Sequence, residues 1–136
     1  KDYMSECISL ATDVIASEDC VPPDGEELFS LCKDLGVLRT AITRGEGPIS
    51  WQEAGLKGEV IPPRVQAVDT LGAGDIFHGA YGFFLIQEKS GFESALKKAA
   101  EVAASSVRFR GPREGVVKIA EVQHGSIEEG NGTIIG

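Results

Sequence analysis

The sequence predicts an α/β domain in which a mainly parallel sheet carries flanking helices and a small hairpin. Two short apolar runs enclose a helical stretch, so strand, helix and strand follow one another. A stretch punctuated by Gly and Pro comes next, and from Gly74 the apolar residues recur with helical period. The length of 136 residues suits one domain, which buries about two thirds of the surface exposed by its unfolded chain.

The first run, "TDVIAS" from Thr12 to Ser17, is apolar between polar flanks and reads as a buried strand. "VPPDGEELFSLCKDLGV" then reads as turn, cap and helix, with Asp24 as the capping residue and Gly36 as the stop. "VLRTAITRGEG" is the second apolar run and ends in a glycine-bearing turn. Two strands joined through a helix pair in parallel, because the crossover returns the chain to the same end of the sheet.

"GPISWQEAGLKGEVIPPRV" contains two short runs around Ala54-Gly55 and Lys57-Gly58, which predicts an antiparallel hairpin or meander with Trp51 as a packing residue. From Gly74, the residues Ile76, Phe77, Ala80, Tyr81, Phe83, Phe84 and Ile86 form a wide apolar face, so this helix is expected to be mostly buried. Gly79 and Gly82 inside it each cost roughly 1 kcal/mol relative to Ala, which predicts a close approach by another element there. "GFESALKKAAEVAASSVRFR" is a second, alanine-rich helix opened at Glu93-Ser94, whose small residues predict tight packing against the first. The tail, residues 126–136, is polar and glycine-rich and is expected to be poorly ordered.

Composition narrows the function. The formal charge of −8, from 21 acidic and 13 basic side chains, repels polyanions, so nucleic acid is not the expected partner. No apolar run reaches the ~20 residues of a membrane span, and the start "KDYMSEC" lacks a signal pattern. It begins with Lys, so the natural start is expected to lie upstream. Cys7, Cys20 and Cys32 form no CxxC pair and read as free thiols of a reducing, cytoplasmic compartment. His78 and His124 stand apart from any cysteine or carboxylate cluster, which argues against a metal site built on them.

The stretch "VDTLGAGDIFHGA", Val68 to Ala80, carries the chemistry. The first amides of a helix have no partner within it, and the aligned peptide dipoles add positive charge there. Gly72 and Gly74 have no side chains to obstruct an anion, and Asp75 sits in the first turn beside them. A carboxylate so placed can take a proton from an alcohol while the amides hold phosphoryl oxygens. A structural reading stands beside this one, since Asp is favoured at helix starts by the dipole alone and Gly-x-Gly turns are common. No lysine lies at the spacing of an ordinary P-loop.

"DTLGAGD", Asp69 to Asp75, resembles the second signature of the ribokinase-like, or PfkB, carbohydrate kinase family, D-T-x-G-A-G-D, and matches all six fixed positions. The resemblance runs from about Thr12 to Val117 and implies the C-terminal, ATP-binding portion of a ribokinase-like kinase domain, residues 1–125 here. It implies that Asp75 is the catalytic base that meets the substrate hydroxyl, that Gly72, Ala73 and Gly74 form the anion hole, and that Asp69 and Thr70 order the loop. Asp69 would also help hold a monovalent cation such as K+. "TRGEG" is similar to the family's ATP loop, which brings over Thr43, Gly45 and Gly47, with one spacer fewer before the last glycine. ATP and Mg2+ are the implied cofactors.

"PPRVQAVDTLGAGD" and "EVAASSVRFRGPREGV" look most like the ketohexokinase-like branch, and Glu101, Ala104 and Gly111 would then border the adenine or cation site. The chain also departs from the family. Members are about twice as long, and the half that grips the sugar has no counterpart here. "ASEDC", Ala16 to Cys20, lies where many members have N-x-x-E, a motif associated with magnesium and phosphate; Ser17 and Cys20 replace its ends, leaving Glu18 or Asp19 to compensate. Two functions follow: part of an ATP-dependent sugar or nucleoside kinase, or a nucleotide-binding or scaffolding piece without kinase activity. A truncated sheet exposes an edge and apolar surface, so a homo-oligomer or pairing with the missing N-terminal half is expected.

Overall fold

The structure, a computed structural model, describes residues 3–21 and 25–119. Its elements are α1 (Tyr3–Ile8), β1 (Asp13–Ser17), a 3₁₀ turn (Glu18–Cys20), α2 (Glu26–Asp34), β2 (Arg39–Arg44), β3 (Gly47–Glu53), β4 (Leu56–Val60), α3 (Ala73–Ile86) and α4 (Phe92–Ser106). Residues 112–119 are also helical. The chain divides into two compact units, Lys1–Pro62 with Ser90–Lys97, and Pro63–Lys89 with Lys98–Gly136.

The first unit holds a four-stranded sheet in the order β1-β2-β3-β4. β1 and β2 pair in parallel around the α2 crossover, from Asp13 opposite Arg39 to Ser17 opposite Thr43. The hairpin adds two antiparallel pairings, β2 with β3 and β3 with β4. The α/β architecture is as expected, and parallel pairing is confined to the β1–β2 crossover unit. Arg39 forks onto Asp13 across the parallel register, with Nε 2.8 Å from Oδ1 and an N–H donated to Oδ2 at 2.9 Å.

Local chemistry sets these elements. Glu26 and Glu27 open α2 and Lys33 lies in its last turn, complementing the helix dipole. Gly36, at φ +81°, ends it: the Gly36 N–H donates to the Lys33 carbonyl and the Val37 N–H to the Cys32 carbonyl. At the other end Gly25 is the cap residue, at φ +68°, and Asp24 lies outside the described residues. In β2, Thr40, Ala41 and Ile42 are buried in succession, as in a strand covered on both faces. β3 alternates, burying Ile49 and Trp51. Ala54 and Gly55, at φ +48° and +84°, make the tight turn into β4 whose twist suits a hairpin.

Trp51 is a packing residue, as its position in the hairpin predicts. Its ring meets Phe92 edge-on at 5.9 Å, and its cross-strand neighbour is Gly58. Phe29, Cys32, Ala41, Ile42, Leu96 and Val60 complete this core.

In the second unit, α3 buries Phe77 and Tyr81, one turn apart, while Phe83 and Ile86 remain 52% and 69% exposed. The expectation of a mostly buried helix is corrected: α3 is apolar nearly all round, but only one stripe is covered within the described residues. Gly79 and Gly82 likewise have no atom of the described residues within 4 Å of an added Cβ, so neither marks a close approach among them. The close approaches are at Gly72, against the Pro112 ring, and at Gly115, where an added Cβ would lie 2.7 Å from the Ser106 carbonyl oxygen. α4 buries Ala99 and Ala100. It reaches α3 through a long side chain: the Lys98 ammonium lies 5.1 Å from the centre of the Phe84 ring and 2.9 Å from Glu88.

Candidate functional site

The parallel pairing brings the C-terminal ends of β1 and β2 to one edge of the sheet, with Ser17 opposite Thr43. Strand ends of this kind form ligand crevices in α/β sheets. "ASEDC" leaves β1 there as the 3₁₀ turn, and "TRGEG" leaves β2 as the turn into β3. The two segments touch through Thr43, whose hydroxyl donates to the Ala16 carbonyl at 3.3 Å, and through Arg44, whose Nε is 3.9 Å from Glu18. Arg44 also donates to the Pro48 carbonyl at 3.1 Å and the Ser50 hydroxyl at 2.7 Å, bracing the base of the turn.

Gly45, at φ +56°, has no atom of the described residues within 4 Å of an added Cβ, so the side-chain direction there is open. Gly47 is tighter: an added Cβ would lie 3.0 Å from the Arg44 carbonyl oxygen. The missing spacer thus corresponds to a hairpin turn rather than a wide loop.

In the second unit, the glycine turn is fastened by Asp69. One carboxylate oxygen accepts the Leu71 N–H at 2.9 Å, and the other accepts the Gly111 N–H at 3.0 Å. The Val68 and Asp69 amides both donate to the Val107 carbonyl, at 2.7 and 3.1 Å. Gly72 caps α3 at φ +75°, with its Cα against Pro112. The loop-ordering role expected of Asp69 is therefore visible in its hydrogen bonds.

The amides at the helix start divide. Ala73 donates back to the Thr70 carbonyl at 3.2 Å, whereas those of Gly72, Gly74 and Asp75 have no acceptor among the described residues. Three open N–H groups therefore stand at the N-terminal end of a 14-residue helix, where the aligned peptide dipoles leave partial positive charge. The Asp75 side chain is exposed in the same turn. An anion held by these amides would have the exposed Asp75 carboxylate in the same turn.

Sequence reasoning set His78 aside as an isolated histidine. Its Nδ1 donates to the Gly74 carbonyl at 2.7 Å, and its ring meets Phe77 edge-on at 5.9 Å. It steadies the first turn of α3, a role its i, i+4 spacing from Gly74 could have suggested. Glu101 and Ala104 lie one turn apart on α4; the Glu101 carbonyl accepts the Ser105 hydroxyl at 2.9 Å. The Glu101 side chain has no hydrogen bond to the glycine turn among the described residues, whereas Gly111, at φ +77°, is joined to it through Asp69.

Among the described residues there is no group of three or more His, Cys, Asp or Glu side chains placed to hold a metal, and no helix long and apolar enough to cross a membrane. All three cysteines are free, with Cys7 and Cys20 exposed and Cys32 buried. Burial pushes the Cys32 thiol above its ordinary value, partly opposed by a hydrogen bond with Thr40.

Residues 22–119 match the family model described as pfkB family carbohydrate kinase. The chain is 35% identical over 88 residues to a deoxyribokinase of Salmonella typhi, covering 65% of this chain and 28% of that protein. Its fold is similar to that of a putative ribokinase II of E. coli solved in complex with ATP and Mg2+, with a TM-score of 0.74 and 28% identity over 90% of this chain and 42% of the other. A fructokinase of Xylella fastidiosa with bound ATP shares the fold at a TM-score of 0.69 and 23% identity, over 88% and 46% of the two chains. The chain spans less than half the length of each of these proteins.

Proposed function

The chain belongs to the pfkB family of carbohydrate kinases, and we propose that it forms the C-terminal, ATP-binding portion, over residues 1–125, of an enzyme that phosphorylates a sugar or nucleoside hydroxyl. The observation that carries this reading is the start of α3. The open amides of Gly72, Gly74 and Asp75 lie in the same turn as the exposed Asp75 carboxylate, and Asp69 holds that turn in place. The names of the relatives, deoxyribokinase and ribokinase, support a sugar as acceptor.

When bound, ATP supplies the γ-phosphoryl group. The residues fit it: Gly72 and Gly74 leave their amides open, and a side chain at Gly72 would fill the space beside Pro112. Asp75 would take the proton from the acceptor hydroxyl, while the open amides of Gly72, Gly74 and Asp75 would stabilise the negative charge on the transferred group; the Ala73 amide, expected in the anion hole, is instead committed to the Thr70 carbonyl. The family resemblance assigns Thr43, Gly45 and Gly47 of the first unit to an ATP loop and, in the second unit, Glu101 and Ala104 to the border of an adenine.

Mg2+ would be held mainly by phosphate oxygens and water, with one or two carboxylates, so the lack of an acidic cluster among the described residues is compatible with it. Glu18 and Asp19 are the carboxylates at the β1 end. A monovalent cation beside Asp69 would share a carboxylate that already accepts two amides, so loop ordering is the role its geometry supports best.

The test is ATP-dependent phosphorylation of pentoses, ketohexoses and nucleosides by the full-length protein that contains this chain. Asp75→Asn is expected to lower kcat by roughly 10²–10⁴ while leaving the fold intact, because the side chain is exposed. Undiminished turnover would remove Asp75 from the role of base. A preference for ketohexoses would support the ketohexokinase-like assignment. ATP binding without turnover of any acceptor would favour the scaffolding reading.

A further inference from the structure

A depression of about 470 Å³ opens on the second unit, lined by Arg64, Val65, Gln66, Val68 and Arg108. Its two sides come from segments fixed to each other by the Val68 and Asp69 hydrogen bonds to the Val107 carbonyl. The prolines at 62 and 63 stiffen the approach to one side, and Pro112 follows the other. The two guanidinium groups therefore stand on a braced base.

Charge distinguishes this place from the rest of the chain. The protein is acidic overall, at −8, yet residues 62–69 and 107–113 contain four arginines and one carboxylate, Asp69. Asp69 is already committed to two backbone amides. Arg39 and Arg44, in the first unit, face Asp13 and Glu18, whereas Arg64, Arg108, Arg110 and Arg113 have no ion-pair partner among the described residues.

We propose that this depression binds a small phosphorylated organic molecule, as a site separate from the glycine turn. Arg64 and Arg108 both line the depression from segments joined by hydrogen bonds, and a phosphomonoester dianion can accept a pair of parallel N–H bonds from a guanidinium fork. Gln66 adds a neutral donor and acceptor, and Val65 and Val68 offer an apolar wall to the organic body. The volume lies within the range of small-ligand pockets, about 300–1,000 Å³. None of this rests on the kinase reading, whose test is turnover of an acceptor and not binding at this depression.

The probes are inorganic phosphate, phenyl phosphate and benzoate, titrated into the whole chain while its backbone amides are followed by NMR. Both phosphates are expected to shift Val65 to Val68 and Arg108, with phenyl phosphate the tighter and both weakened by added salt. Arg64→Gln with Arg108→Gln should reduce affinity about tenfold or more at unchanged melting temperature, since both side chains are exposed. Arg113→Gln should change it less than about twofold. Shifts confined to Gly72 to Asp75, binding unaffected by the double substitution, or benzoate binding as tightly as phenyl phosphate would each overturn the proposal.

Discussion

Trp51 occupies the space that a side chain on Gly58 would fill: an added Cβ there would lie 2.5 Å from the indole Cζ2 and 2.7 Å from Cε2. The two residues are cross-strand partners in β3 and β4, so the hairpin spends a glycine to seat its largest side chain.

Gly58→Ala is therefore expected to destabilise the chain by about 1–3 kcal/mol through overpacking, although Ala normally serves a strand better than Gly. In a Trp51→Phe background the same substitution should cost less, because the smaller ring leaves room. Urea unfolding of the four chains of this cycle measures the coupling, and equal costs in both backgrounds would count against the clash.

Asp69→Ala removes the acceptors of two backbone amides and should cost about 2 kcal/mol, with Asp69→Asn in between because one oxygen remains. Hydrogen exchange at Leu71 and Gly111 should accelerate in both variants. Unaltered protection at both amides would mean that the carboxylate does not fasten the turn.

Two neighbouring glycines separate folding from binding. Gly72→Ala places a Cβ 2.9 Å from the Pro112 ring at φ +75° and should destabilise by about 1–3 kcal/mol. Gly74→Ala meets no atom within 4 Å and should leave stability within about 0.5 kcal/mol. If the open amides bind phosphate, Gly74→Ala should still weaken ATP-dependent protection of residues 72–75. Thermal melts with and without ATP read both effects.

Cys32 is expected to resist thiol reagents in the native chain while Cys7 and Cys20 react, all three becoming reactive on unfolding. Its thiol is raised above 9.0 in the fold, so its contribution to stability is complete below that pH and is lost as pH climbs through the raised value. The slope of stability against pH above 9 should flatten in Cys32→Ala once that variant's lower baseline is taken into account. A third thiol reacting as fast as the first two would contradict the burial.

Turn chemistry made much of this fold legible. Gly36 stops α2 as expected because only a residue at ease with positive φ completes that cap, and Ala54-Gly55 marks the hairpin for the same reason. Burial was less legible, since Phe83 and Ile86 announce apolarity but not whether anything lies against them. Gly79 and Gly82 read as contact points because a helix pays for glycine, yet the approaches fall at Gly72 and Gly115. The site was legible as a motif at Asp69 to Asp75. Its fastening was not, because Gly111 is 42 residues from Asp69 and no local pattern links them.

That separation bears on the order of events during synthesis. At about 5–20 residues per second, the ribosome adds the 42 residues after Asp69 over several seconds, during which the carboxylate has no Gly111 amide to receive. Helix α3 can form in microseconds or less, but its leading turn waits for the end of α4 to emerge. A nascent chain therefore completes the fastening of its glycine turn late, after both helices between Asp69 and Gly111 have been synthesised.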